Sequence, residues 1–190
     1  MMDAICAIAT SYGSGAISIV RASGKDSIKM INEIFKGPDL TKVKSHTISY
    51  GSIVYEGEII DEVLVSVFLP PRTYTREEIV EINCHGGMFV TNKILETLLK
   101  IGFRLADSGE FTKRAYLNGR IDLAQAESIM DIINAKTDKA RKLSINQLEG
   151  RVSNIIRNFR QELLELLASI EINIDYIQSK FDDLTHHYVG

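Results

Sequence analysis

An α+β protein is predicted: a mixed α/β module to about residue 120, then long α-helices. Two observations carry this. Up to Arg120, runs of alternating apolar and polar residues, rich in Val, Ile, Thr and Tyr, are separated by Gly- and Pro-containing turns and by two helical stretches. From Leu123 onward apolar residues recur only at helical spacing, and no strand pattern returns. The expected division is 1–120 and 121–190.

The elements follow in order. Ile5 to Ala9 reads as a buried strand, Thr10 to Gly15 as a small polar turn, and Ala16 to Arg21 as a second strand. Ala22-Ser23-Gly24 breaks the chain. Ile28, Ile31, Ile34 and Phe35 predict a helix over Asp26 to Phe35, stopped by Gly37-Pro38. His46 to Tyr55 and Ile59 to Leu69 form a hairpin about Glu56-Gly57-Glu58, and Pro70-Pro71 ends it because proline cannot continue a ladder. The clearest signal is Glu78 to Gly87. On this strand Val80, Ile82 and Cys84 share one face, while Glu81, Asn83 and His85 form a polar column on the other. Gly86-Gly87 follows, where backbone is free to take positive φ or to approach another group closely. Val90 to Lys100 is a helix, Phe103 to Ala106 a short strand, and Thr112 to Asn118 a helix stopped by Asn118-Gly119. Thr137 or Asp138 caps a new helix expected to reach about Ile177, with Gly150 weakening it. Its apolar positions Val152, Ile156, Phe159, Leu163, Leu166, Ile170, Ile174 and Ile177 make a narrow heptad-like stripe, suited to packing on another helix.

Composition restricts function. A net charge of −3 gives no general basic footprint for nucleic acid. The two cysteines, Cys6 and Cys84, lie in apolar runs and are expected to be buried and reduced. They are too few for a four-ligand zinc site. No metal ligands and no catalytic residue are assigned. The N-terminus lacks the features of a secretory leader, and the apolar runs are too short to span a bilayer. There is no Gly-x-x-x-x-Gly-Lys-Ser/Thr phosphate loop, and Gly13-Ser14-Gly15 is read as a plain turn. Cys84 and His85 point to opposite faces and cannot pair as nucleophile and base. His186-His187 is read as solvated tail.

Two stretches can carry chemistry. The polar column ending in Gly86-Gly87 is either the wet face of an antiparallel strand or one wall of a site for a small polar ligand. Ala106 to Leu123 sets Lys113, Arg114 and Arg120 beside Phe111 and Tyr116. That combination suits a planar ligand bearing carboxylate or phosphate, and equally a solvated helix face over a buried Phe111.

Gly15 to Gly24 with Arg21, Tyr74-Thr75, Glu81 to Gly87, and Gly109 to Leu123 followed by Gln125-Ala126-Glu127 together resemble the MnmE/TrmE family of tRNA modification GTPases. The resemblance runs from Ile5 to about Tyr176. It implies an N-terminal domain similar to the tetrahydrofolate-binding domain of aminomethyltransferases, followed by the start of a helical domain. The family's potassium-dependent GTPase domain, with its magnesium and GTP, and its Cys-containing C-terminal motif are absent from this sequence. It further implies a homodimer formed through the N-terminal domain, 5-formyltetrahydrofolate or another one-carbon tetrahydrofolate as ligand, and a cytoplasmic location. An MnmG (GidA)-like flavoprotein would be the partner for modifying the wobble uridine of tRNA at C5. The family's folate contacts fall on Arg21, Glu81 and Arg120. Asn83 and His85 are possible supports around them. Many members have Gly where Arg76 stands and Pro where Ser108 stands. Two readings of other classes stand beside this one: a free-standing folate-dependent one-carbon transferase, and an oligomerisation scaffold built on the long helix.

Overall fold

The structure is a computed structural model that describes residues 3–11, 13 and 15–188, with side chains to residue 174. The chain forms two units, Met1–Ile121 and Asp122–Gly190. Tyr12 and Ser14 of the first turn, and the side chains of His186-His187, lie outside the described residues. The backbone of that histidine pair belongs to the last helix.

The first unit is built on seven strands: β1 (Ile5–Ile8), β2 (Ile17–Ser23), β3 (Phe35–Lys36), β4 (Thr47–Tyr55), β5 (Glu58–Phe68), β6 (Ile79–His85) and β7 (Arg104–Leu105). They form one sheet in the order β3-β4-β5-β6-β2-β1-β7. Every pairing is antiparallel except the parallel β1–β7 pair. The strand period sends Val20, Ala22, Val63, Val65, Val67, Val80, Ile82 and Cys84 to one face, where all are buried. Helices α1 (Ser27–Asn32) and α2 (Met88–Lys100) cover that face with Ile28, Ile31, Ile94 and Leu98. The opposite face stays open, and Ile17, Ile48, Tyr50 and Leu64 are exposed on it. Registers Arg21↔Glu81 and Ser66↔Glu81 put Glu81 on this open face beside Arg21. Helix α3 (Glu110–Leu117) follows β7.

The sequence expectation of a helix to Phe35 is corrected. Helix α1 ends at Asn32, and Phe35 pairs with Ile53 as part of β3. Burying Phe35 against the sheet outweighs a helical spacing that is only marginal over so short a stretch. The ring lies over Gly51, where a Cβ would come within 2.6 Å of Phe35 Cζ.

The two glycines after β6 have different roles. Gly87 is the N-cap of α2 at φ −77°, and nothing lies near its absent Cβ. Gly86 exchanges backbone hydrogen bonds with Gly15 and Ala16, and a Cβ there would lie 2.3 Å from the Gly15 carbonyl oxygen. Neither takes positive φ, so close approach is the reason for glycine, and only at Gly86. Gly86→Ala is expected to cost roughly 1–3 kcal/mol through backbone displacement, read as a lowered urea midpoint, while Gly87→Ala stays within about 0.5 kcal/mol.

The second unit is helical. Its α4 (Leu123–Asn134) opens with a capping box, in which the Asp122 side chain accepts from Gln125 N and the Gln125 side-chain oxygen accepts from Asp122 N. Helix α5 (Asp138–Leu148), capped by Thr137, packs on α4 through Gln125 Nε2 to Leu148 O at 2.6 Å and Gln147 Nε2 to Ala124 O at 3.0 Å. The single long helix expected from Thr137 is corrected here. Gly150 takes φ 80°, ends α5, and α6 (Arg151–Tyr188) begins anew. Left-handed backbone is open to glycine at no steric cost and closes the preceding helix. The apolar stripe of α6 is exposed from Val152 to Ile174.

Candidate functional site

The loop between β5 and β6 places an aromatic ring over the open sheet face. Its polar residues are pinned from both sides. Thr73 Oγ1 donates to Glu77 O at 2.7 Å, the Ser23 and Thr75 hydroxyls meet at 2.7 Å, and Asn118 Nδ2 donates to Thr75 O at 2.6 Å. Tyr74 is thereby fixed, with its hydroxyl 2.9 Å from Thr112 Oγ1 at the start of α3.

Around Tyr74 the structure brings the three sequence-predicted residues together. Arg21 on β2 and Glu81 on β6 are cross-strand partners. Arg21 Nε and Nη2 both converge on Glu81 Oε1, at 2.8 and 2.7 Å. The Arg21 guanidinium lies 5.8 Å from the Tyr74 ring and 5.6 Å from the ring of Phe111. The Arg120 guanidinium lies 4.8 Å from the same Tyr74 ring. Both side chains of the Arg21–Glu81 pair are part-buried, 31% and 21% exposed. Arg120 is exposed. The cluster offers a carboxylate oxygen for N–H donors, two aromatic planes for stacking, and two guanidiniums for an acyl oxygen or carboxylate.

Several sequence expectations resolve differently. Arg114, grouped in sequence with Lys113 and Arg120, turns inward and is 3% exposed. It joins Glu110 at 3.0 Å, Asp3 at 3.1 Å and Glu77 at 3.2 Å. Arg104 closes the network with Glu110 at 2.6 Å and Asp3 at 2.5 Å. The Arg104 side chain, aided by Arg114, holds the Glu110 carboxyl down at about 2. Asn83 and His85 share the polar face but turn towards β5. Asn83 donates to Leu64 O at 3.1 Å, and His85 Nδ1 lies 2.7 Å from Asp61. They line a separate shallow pocket of about 270 Å³ with Tyr50 and Leu64. Cys84 is buried on the opposite face, with its Sγ 3.5 Å from Ser18 O. Cys6 is buried too, and burial pushes its thiol up to about 12. Neither cysteine is in a disulfide. Among the described residues no group of three or more His, Cys, Asp and Glu could hold a metal ion, and no helix is long and apolar enough to cross a membrane.

Sequence reasoning missed Tyr74 as the centre of the cluster. Tyr74-Thr75 stood among the motifs that carry the family resemblance, but Tyr74 was given no place in the site, since loops carry no period that would reveal where a side chain points.

Fold and cluster together define a mixed α/β module that carries a polar and aromatic cluster on its open sheet face, followed by a helical unit. Residues 4–120 match the family described as GTP-binding protein TrmE N-terminus, and residues 123–189 match the MnmE helical domain. Among similar proteins are the tRNA modification GTPase MnmE of Lacticaseibacillus paracasei, 58% identical over 185 residues, and that of Ligilactobacillus salivarius, 58% identical over 184. That of Bacillus cytotoxicus is 57% identical over 187. The matches cover 96–97% of this chain and 39–41% of the relatives. The chain belongs to the MnmE (TrmE) family of tRNA modification GTPases, and spans about 40% of the length of the curated relatives it matches.

Proposed function

We propose that this chain is the folate-holding part of a tRNA modification GTPase and that it binds 5-formyltetrahydrofolate or another one-carbon tetrahydrofolate. The observation that carries the reading is that Arg21, paired with Glu81, and Arg120 both lie against the Tyr74 ring. A pterin presents adjacent N–H donors on one edge, and the Glu81 carboxylate is the acceptor for them. Tyr74 and Phe111 offer stacking surface to its rings. Arg21 and Arg120 then serve the formyl oxygen and the glutamate carboxylate. Lys, frequent in the family at the position of Arg120, keeps the charge without the planar fork.

The second copy needed for a homodimer docks through the first unit in this reading. The exposed Ile17, Ile48, Tyr50 and Leu64 on the open sheet face supply an apolar surface for it. These 190 residues have no phosphate loop, so GTP hydrolysis, with its potassium and magnesium, is assigned to the family's GTPase domain and not to them. The tRNA and an MnmG (GidA)-like flavoprotein are proposed as partners of the assembled system in the cytoplasm. Calorimetric titration of the chain with 5-formyltetrahydrofolate is expected to give saturable binding. Absence of binding to millimolar concentration would instead favour a scaffold assembled on the apolar stripe of α6.

A further inference from the structure

Arg76 is a cation that the cluster around Tyr74 does not explain. Its backbone is left-handed, φ 59°, a conformation that costs a side chain other than glycine about 1 kcal/mol. Its Nη1 donates to the carbonyl of Asn118 at 3.0 Å. The same nitrogen lies 3.5 Å from where a Cβ of Gly119 would stand. Its guanidinium is therefore laid against the turn that presents Arg120. Both arginines are exposed, and among the described residues neither has a carboxylate within ion-pair distance. Two like charges held by one turn repel each other unless an anion lies between or beside them.

The groups also have an order. Glu81 and Arg21 are part-buried, Tyr74 is next, Arg120 stacks on Tyr74, and Arg76 lies against the residue before Arg120. The row runs from a half-buried carboxylate to an exposed cationic rim. A folate is arranged the same way, with N–H donors on its pterin and carboxylates at its tail. Each further γ-linked glutamate adds one carboxylate beyond the first.

We propose that Arg76, with Arg120, forms a subsite for the γ-linked polyglutamate tail of the bound folate. This rests on the folate reading above. Among the described residues Arg76 spends one guanidinium N–H, on Asn118, and the remaining donors are open to a carboxylate. The subsite is at the surface, so its contribution is modest and screened by salt.

The test compares 5-formyltetrahydrofolate as the monoglutamate and as the pentaglutamate, by calorimetry on the full chain. The readout is the ratio of the two affinities. The unsubstituted protein is expected to prefer the pentaglutamate about 5-fold at low salt, with the preference shrinking as salt is raised. Arg76→Gly suits the left-handed backbone, and Arg76→Gln keeps a donor for Asn118 without the charge. Both are expected to bring the ratio to about 1–2. An unchanged ratio in both variants, or no preference in the unsubstituted protein, overturns this proposal while leaving the folate reading standing. Failure of the monoglutamate to bind at all overturns both.

Discussion

Glu81→Ala is expected to weaken 5-formyltetrahydrofolate binding by at least about 100-fold while leaving the melting temperature and the oligomeric state almost unchanged. A hydrogen bond to a charged group contributes about 1.5–3 kcal/mol, and in the folate reading this carboxylate accepts two from the pterin edge. The same carboxylate does little for the fold. Its partner is Arg21, both side chains keep contact with water, and a pair of that kind contributes about 1 kcal/mol or less. Arg21 also lies against Tyr74 and Phe111, contacts that the substitution does not touch. Glu81→Gln retains one acceptor oxygen and is expected to fall between the two. Calorimetry measures the affinity, and thermal melting and sedimentation supply the controls. Unchanged affinity in Glu81→Ala would remove Glu81 from the site and with it the basis of the folate reading.

Arg114→Met is expected to show the opposite pattern, a loss of about 3–5 kcal/mol of stability read from urea unfolding. The side chain is buried and neutralises Glu110, Glu77 and Asp3 together. Removing it leaves carboxylates with too few counter-charges, and a whole domain has only about 5–15 kcal/mol to lose. The same network sets an acid sensitivity. The folded-state value of Glu110, about 2, lies below its ordinary 4.5. The stability this provides is complete above about pH 4.5 and drains away as pH falls towards 2, by at most about 3 kcal/mol. Arg104 is the largest influence on Glu110, so Arg114→Met keeps part of that acid dependence. A urea midpoint within experimental error of the unsubstituted protein would mean that the network is not a source of stability.

What could be read from the sequence follows from where periodicity is strong. The positions of the main strands along the chain were legible because each buries one face, so Val80, Ile82 and Cys84 announced their side while Glu81 announced the other. The helical turn to Gly150 was legible as a weak point, but not as a full break, because only the backbone angle distinguishes a kinked helix from two helices. The candidate site was legible in its charged members, Arg21, Glu81 and Arg120, through the family resemblance alone. Its centre was not, since Tyr74 is placed by hydrogen bonds from Ser23 through Thr75, from Thr112 and from Asn118, residues distant in sequence with no shared pattern. Arg114 shows the converse. In sequence it reads as one of three exposed cations, and only the convergence of Asp3, Glu77 and Glu110 makes burying it tolerable.

The parallel pairing of β1 with β7 has a consequence for the order of events during synthesis. Ile5 pairs with Arg104, and Asp3 is tied to Arg104 and Arg114. The first strand to leave the ribosome therefore finds its outer neighbour only after about a hundred more residues, roughly 5–20 s later at ~5–20 residues/s. The hairpin of β4 and β5 forms on the microsecond scale once made, and β2 gains β6 when residues 79–85 appear. Throughout that interval one edge of β1 remains unpaired and able to capture another strand. The earliest residues of the module are the last to be sealed into it.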